Sequence, residues 1–150
     1  MHASSPEPQP PHKHRDIESR EDIVAVIDLF YERTFRDPVL GPIFVDIAKL
    51  DLEHHIPIVA DFWENILFGA RKYPGGMMRV HFDVHMMTSL QPHHFQRWLD
   101  YWEGSIEEQF EGPRATLAKE HAYRVARMMS DRLGMMPGGP VAHVWDRTRT

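Results

Sequence analysis

The chain has 150 residues, 42% of them hydrophobic, with 17 Lys and Arg against 22 Asp and Glu for a formal net charge of -5, and it has no cysteine. That length suits one domain with one core, and the balance of apolar and charged residues excludes disorder throughout and argues against a generic nucleic-acid binder. Without cysteine there is no disulfide framework, thiolate metal site or Cys nucleophile, so any metal must sit on histidine or carboxylate.

The first segment, Met1 to Asp16, contains Pro6, Pro8, Pro10 and Pro11 and no apolar face, so it is expected to be an unstructured arm. It lacks the apolar stretch of a signal peptide, and no run in the chain approaches the roughly 20 apolar residues of a membrane span. A cytoplasmic protein without a membrane partner is the expectation. The folded domain is expected over residues 17 to 133, and the Gly- and Pro-punctuated stretch 134 to 150 reads as a tail in which Trp145 is an exposed aromatic.

Between these ends the periodicity is helical. From Arg20 to Arg36 the apolar positions Ile23, Val26, Ile27, Phe30, Tyr31 and Phe35 recur at spacings of three and four, and Asp37-Pro38 closes the segment. The DPVLGPIF stretch allows one or two helical turns. From Asp51 to Phe68, one face carries His55, Val59, Phe62 and Ile66. Pro57 predicts that the regular helix begins near that residue or kinks before it, which would leave His55 at an irregular start. His81 and His85 lie one turn apart in the segment Met77 to Leu90. A stripe of Phe95, Trp98, Leu99, Trp102, Ile106 and Phe110 follows, then one of Ala118, His121, Ala122, Val125, Met129 and Leu133. No segment alternates as a strand does. The expectation is an all-α domain of four main helices plus short pieces.

Of the 11 histidines, three fall in the arm and one, His143, in the tail. His81 and His85, at i and i+4, could hold a metal together. No HExxH is present, and the single near match to a di-iron motif is Asp51-Leu-Glu-His54. A haem site asks for one neutral histidine, a broad apolar pocket and a few polar groups. His55, Val59 and Phe62, with Phe30-Tyr31 and Phe95/Trp98, supply such a set, though the same residues also suit an ordinary core with satisfied polar atoms.

The blocks FYERTFRDPVLGPIF, HHIPIVADFWENILFG, YPGGMMRVHFDVH, PHHFQRWLDYW and FEGPRATLAKEHAYRVARMMSDRL, in that order, resemble a truncated haemoglobin, closest to group III, over about residues 20 to 133. The resemblance implies a two-on-two helical sandwich enclosing haem b, iron protoporphyrin IX. It also implies that Tyr31, after Phe30, donates a hydrogen bond to the ligand and that Phe44 stacks on the haem. Phe62-Trp63 matches the family's Phe-Trp, and counting back seven from Phe62 puts His55 at the distal position. Trp98 is implied as a second distal donor, and Val59, Phe62 and Phe95 as pocket wall. For the proximal ligand, the string MRVH marks His81, whereas counting back ten from Phe95, or thirteen from Trp98, reaches His85. The family form VHxxxH favours His85 as iron ligand, with His81 as alternative and a candidate propionate contact. Gly75-Gly76 departs from the group III pattern and reads as loop chemistry.

The function implied is tight binding of O2, NO or another diatomic ligand. Redox chemistry on O2, NO or peroxide, fed by an external reductase, fits better than oxygen storage, because two donors predict slow release. A ligand sensor or delivery partner, with Met86-Met87 or Met135-Met136 engaging another protein, is the alternative, and a non-haem helical metal protein is a third reading. His85 is expected to donate its other ring N–H to a backbone carbonyl, and His55 to act as a movable gate freed by Pro57.

Overall fold

A computed structural model describes residues 14 to 134; the reading of Trp145 as a tail aromatic, and Met135-Met136 and His143, lie outside the described residues. Six helices, and no strand, occur among those residues: α1 (Arg20–Arg36), α2 (Leu40–Pro42), α3 (Leu52–Phe68), α4 (Met77–Thr88), α5 (Pro92–Glu107) and α6 (Pro113–Gly134), with a π-helical turn over Ile43–Ile47 after α2. The all-α expectation holds. None of these helices is long and apolar enough to cross a membrane.

Helix α1 starts because the Ser19 hydroxyl accepts from the Asp22 N–H, with Glu21 and Asp22 in the first turn and Arg33 and Arg36 in the last, as the helix dipole favours. It stops at Asp37, whose fully buried carboxylate gathers four donors: Arg97 Nε at 2.7 Å, Tyr101 OH at 2.6 Å and the N–H groups of Leu40 and Val39. Burial alone would raise the pKa of Asp37, but these donors outweigh it and hold the carboxyl well below the usual range. One side chain thereby fixes the α1–α2 corner to α5.

The pair α1–α3 packs on the pair α5–α6, with α1 against α5 and α3 against α6. The core between them takes Ile23, Val26, Ile27 and Phe30 from α1, Trp63 from α3, and Leu99, Trp102 and Ile106 from α5. Against this, α6 offers Ala115, Ala118, Ala122 and Ala126, all buried, and small side chains let its backbone approach closely.

Two boundaries differ from the sequence reading. Helix α3 begins at Leu52, capped by the Asp51 carboxylate on the Glu53 N–H, and runs through Pro57. The missing N–H there forfeits one bond near the helix start, which packing of Leu52 and Ile56 against the core offsets. His55 is therefore helical, its N–H bonded to the Asp51 carbonyl at 2.8 Å. The arm also ends sooner than Asp16. The Asp16 carboxylate accepts from the N–H groups of Arg114 and Ala115, so it caps α6, and Arg15 pairs with Asp22 at 2.7 Å.

Helix α4 stands apart. It packs on α6 and on the π-helical turn, and no extensive contact joins it to α3. Gly75 and Gly76 precede it at φ 99° and 100°, a region that favours glycine, so this pair sets the turn into the helix.

Candidate haem site between α3 and α4

The resemblance places one group of site residues on the α1–α3 side, and the structure brings most of them together. The Tyr31 ring centroid lies 5.7 Å from Phe44 and 5.7 Å from His55, both edge-on. Phe44 in turn stacks on Phe35 at 5.7 Å and 18°. Burial pushes the Tyr31 phenol far up, so it stays a protonated donor. Burial first, then the neighbouring His81 and His54, pushes the His55 imidazole below the usual histidine range, which keeps it neutral.

Other members of the predicted set are placed differently. Phe62 turns toward Trp63, Tyr73 and His121, at 5.1, 5.3 and 5.9 Å, and no ring contact joins it to Tyr31 among the described residues. Trp98 reaches the Tyr31 group through Phe30, which touches Tyr31 at 4.9 Å and Trp98 at 5.8 Å. Phe95 is buried, and Val59 is half-buried against the core. A hollow of about 480 Å³ lies beside this group, between the α2 corner and the α4–α5 corner, and its lining includes none of the predicted residues.

The two candidate proximal histidines have opposite hydrogen-bond chemistry. His81 Nδ1 lies 2.8 Å from the Met77 carbonyl oxygen, which can only accept, so Nδ1 carries the proton and Nε2 keeps a free lone pair. Burial lowers the His81 pKa, and the bond to Met77 opposes that in part. His85 has its Nδ1 filled from the other side: the Leu90 N–H donates to it at 3.0 Å. His85 Nε2 is buried, and no protein group meets it.

His85 thus lacks the bond to a backbone carbonyl expected of it, and His81 has it. The reason is local. His85 occupies the last turn of α4, where its own carbonyl accepts the Ser89 N–H at 2.7 Å and its ring accepts the next one, so it closes the helix C-terminus. The Ser89–Pro92 break was visible in the sequence, and a histidine within one turn of it was the signal for a cap. Met77 and Leu90, whose backbone groups meet the two rings, went unremarked because a backbone carbonyl or N–H carries no residue-type signature.

The buried, unpartnered Nε2 of His85, together with a neutral His55 and an edge-packed Tyr31 and Phe44, fits a haem held by one imidazole. Among the described residues no three His, Asp or Glu side chains converge as a metal-binding group, so the non-haem reading finds no ligand set there.

No protein-family model matches the chain. The group 3 truncated hemoglobin of Campylobacter jejuni subsp. jejuni is 24% identical to it over 118 residues, spanning 77% of this chain and 91% of that relative. The crystal structure of the group III truncated hemoglobin from Campylobacter jejuni matches with a TM-score of 0.70 at 24% identity, over 80% of this chain and 94% of that one. The chain has the fold of the truncated haemoglobins, and within them its resemblance is to group III.

Proposed function

We propose that this protein binds haem b, which His85 would hold, with His81 as the alternative ligand, and that it takes up O2, NO or a related diatomic molecule. The observation that carries the reading is His85 itself, the one buried histidine among the described residues, whose Nε2 meets no protein group. Haem supplies reversible binding of the diatomic molecule and electron exchange with it.

The chain's own residues set the surroundings. Tyr31, held protonated by burial, offers one O–H donor to a negatively polarised ligand atom, a bond that contributes on the order of 1 kcal/mol. His55, neutral and edge-packed on Tyr31, is the group's second polar side chain. Because its backbone is helical, only rotation of the His55 side chain can open a path, so a gating role rests on side-chain torsions alone. Two donors, Tyr31 and Trp98, favour tight retention, and with an external electron donor the bound molecule is expected to be consumed by redox chemistry rather than stored.

The test is titration of the full-length protein with haemin, followed by spectra in both oxidation states and a pyridine haemochrome to type the haem. A sharp Soret band that is lost in His85→Ala and kept in His81→Ala is the expected result. The reverse pattern moves the ligand to His81, and no Soret band in the wild type ends the haem reading. Turnover of NO or peroxide with an external reductant then separates a redox enzyme from a ligand sensor.

A further inference from the structure

Three tryptophans form a stack through the middle of the domain. Trp98 and Trp102, one turn apart on α5, lie parallel at 6.4 Å and 5°. Trp102 stacks on Trp63 of α3 at 4.9 Å and 18°. Phe30 sets its edge against both Trp98 and Trp102, at 5.8 and 5.5 Å, which fixes their planes. At the far end a single phenyl ring, Phe62, separates Trp63 from Tyr73, with centroids 5.1 and 5.3 Å away. Trp63 and Trp102 are only 3% exposed, whereas Trp98 and Tyr73 are half-buried.

Packing alone does not ask for this arrangement. Leucine or phenylalanine fills a core equally well, and aromatic stacking adds only about 0.5–1.5 kcal/mol per pair beyond burial. What three overlapping indoles share, and aliphatic side chains lack, is a low cost of losing one electron. The first indole adjoins the Phe30-Tyr31 side of the proposed haem site, and the last is one ring from a phenol that can release a proton.

We propose that Trp98, Trp102, Trp63 and Tyr73 form a one-electron relay between the haem site and the protein surface. An oxidant at the site removes one electron from the Trp98 ring. Trp102 returns an electron to Trp98, Trp63 to Trp102, and Tyr73 to Trp63, while the Tyr73 phenol proton passes to solvent. The net change is one electron gained by the oxidant and one neutral phenoxyl radical at Tyr73. Hydrogen peroxide, which needs two electrons and two protons to become two waters, draws on the relay twice. A one-electron donor such as ascorbate restores Tyr73 each time. Phe62 serves as a bridge and is not itself oxidised. This inference rests on the haem reading only for the source of the oxidant.

The relay can be tested with and without haem. Azide radicals generated by pulse radiolysis oxidise tryptophan directly, and a Trp145→Phe background confines that oxidation to the domain. In the full chain the tryptophan radical signal should convert to a tyrosyl signal at a rate independent of protein concentration. Tyr73→Phe and Trp102→Phe should each lose that conversion, with Trp63→Phe as a second break in the path should Trp102→Phe fail to fold. Haemin-loaded protein treated with hydrogen peroxide and a spin trap should carry the adduct on Tyr73, and on Trp98 when Trp102 is phenylalanine. Unchanged conversion in both Tyr73→Phe and the tryptophan variant, or transfer to another tyrosine, overturns the relay. A missing Soret band condemns the haem reading and leaves the radiolysis result to stand by itself.

Discussion

The two sides of the molecule are built differently. Where α1, α5 and α6 meet, side chains interlock to the point of near-complete burial, and Asp37 and Asp16 bind segments far apart in sequence. Around α4 the apolar residues Phe44, Val59, Met77, Met78 and Phe82 are only half-buried, and Val80, Met86 and Met87 are 57%, 55% and 62% exposed. The first side completes itself with protein atoms. The second holds apolar surface and a free imidazole nitrogen, which is the condition of a site built around something else.

This contrast predicts a gradient of mutational cost. Asp37→Ala should cost about 2–4 kcal/mol, because it takes a buried acceptor from Tyr101 and two backbone N–H groups. Urea denaturation measures it, and a cost below about 1 kcal/mol would erase the distinction between the two sides. The wild-type contribution of Asp37 is complete above the ordinary carboxylate pKa. Since its folded pKa lies lower, that contribution is lost as pH falls through the folded value.

His94 stands at the α4–α5 corner, where the two sides join. Its Nδ1 accepts the Gln91 N–H at 2.8 Å, and burial first, then His93, pushes its pKa down from 6.5 to about 4. The unfolded chain therefore takes up the proton first. Stability from this neutral cap is full above pH 6.5 and declines as pH falls toward about 4. His94→Gln should flatten that part of the pH profile in thermal unfolding, and an unaltered slope would remove His94 from the cap.

The smallest effect belongs to the exposed face of α4. Met87→Gln should alter stability by no more than about 0.5 kcal/mol in the same denaturation experiment. A larger loss would mean that α4 is held by packing as tightly as α6 is.

Much of the fold was legible because its signals are periodic. The stripes of α1, α5 and α6 recur every three or four residues, and Asp37-Pro38 and Gly112-Pro113 punctuate them. Helix α3 was misjudged at its start, since the rule for Pro57 speaks of one lost bond and cannot weigh it against the Asp51 cap. At the site, Tyr31, Phe44 and His55 could be picked out by residue type. The choice between His81 and His85 could not, because the string MRVH marks the first while the counts from Phe95 and Trp98 reach the second. What separates them is which backbone group meets each ring, a carbonyl at Met77 or an N–H at Leu90, and that depends on where α4 ends. Gly75-Gly76, read as loop chemistry, proved to be the hinge that starts the same helix.

The Asp16 clasp bears on the order in which the chain assembles. Its bonds to Arg114 and Ala115 span 98 and 99 residues, nearly the whole described domain. Closing so long a loop is entropically costly unless intervening helices have already drawn the two ends together. The α5–α6 hairpin and the α1–α3 pair need only nearer neighbours, so they can form before the clasp does. Asp16 then acts as a latch set after assembly, and losing it should hasten unfolding while leaving the rate of folding almost untouched.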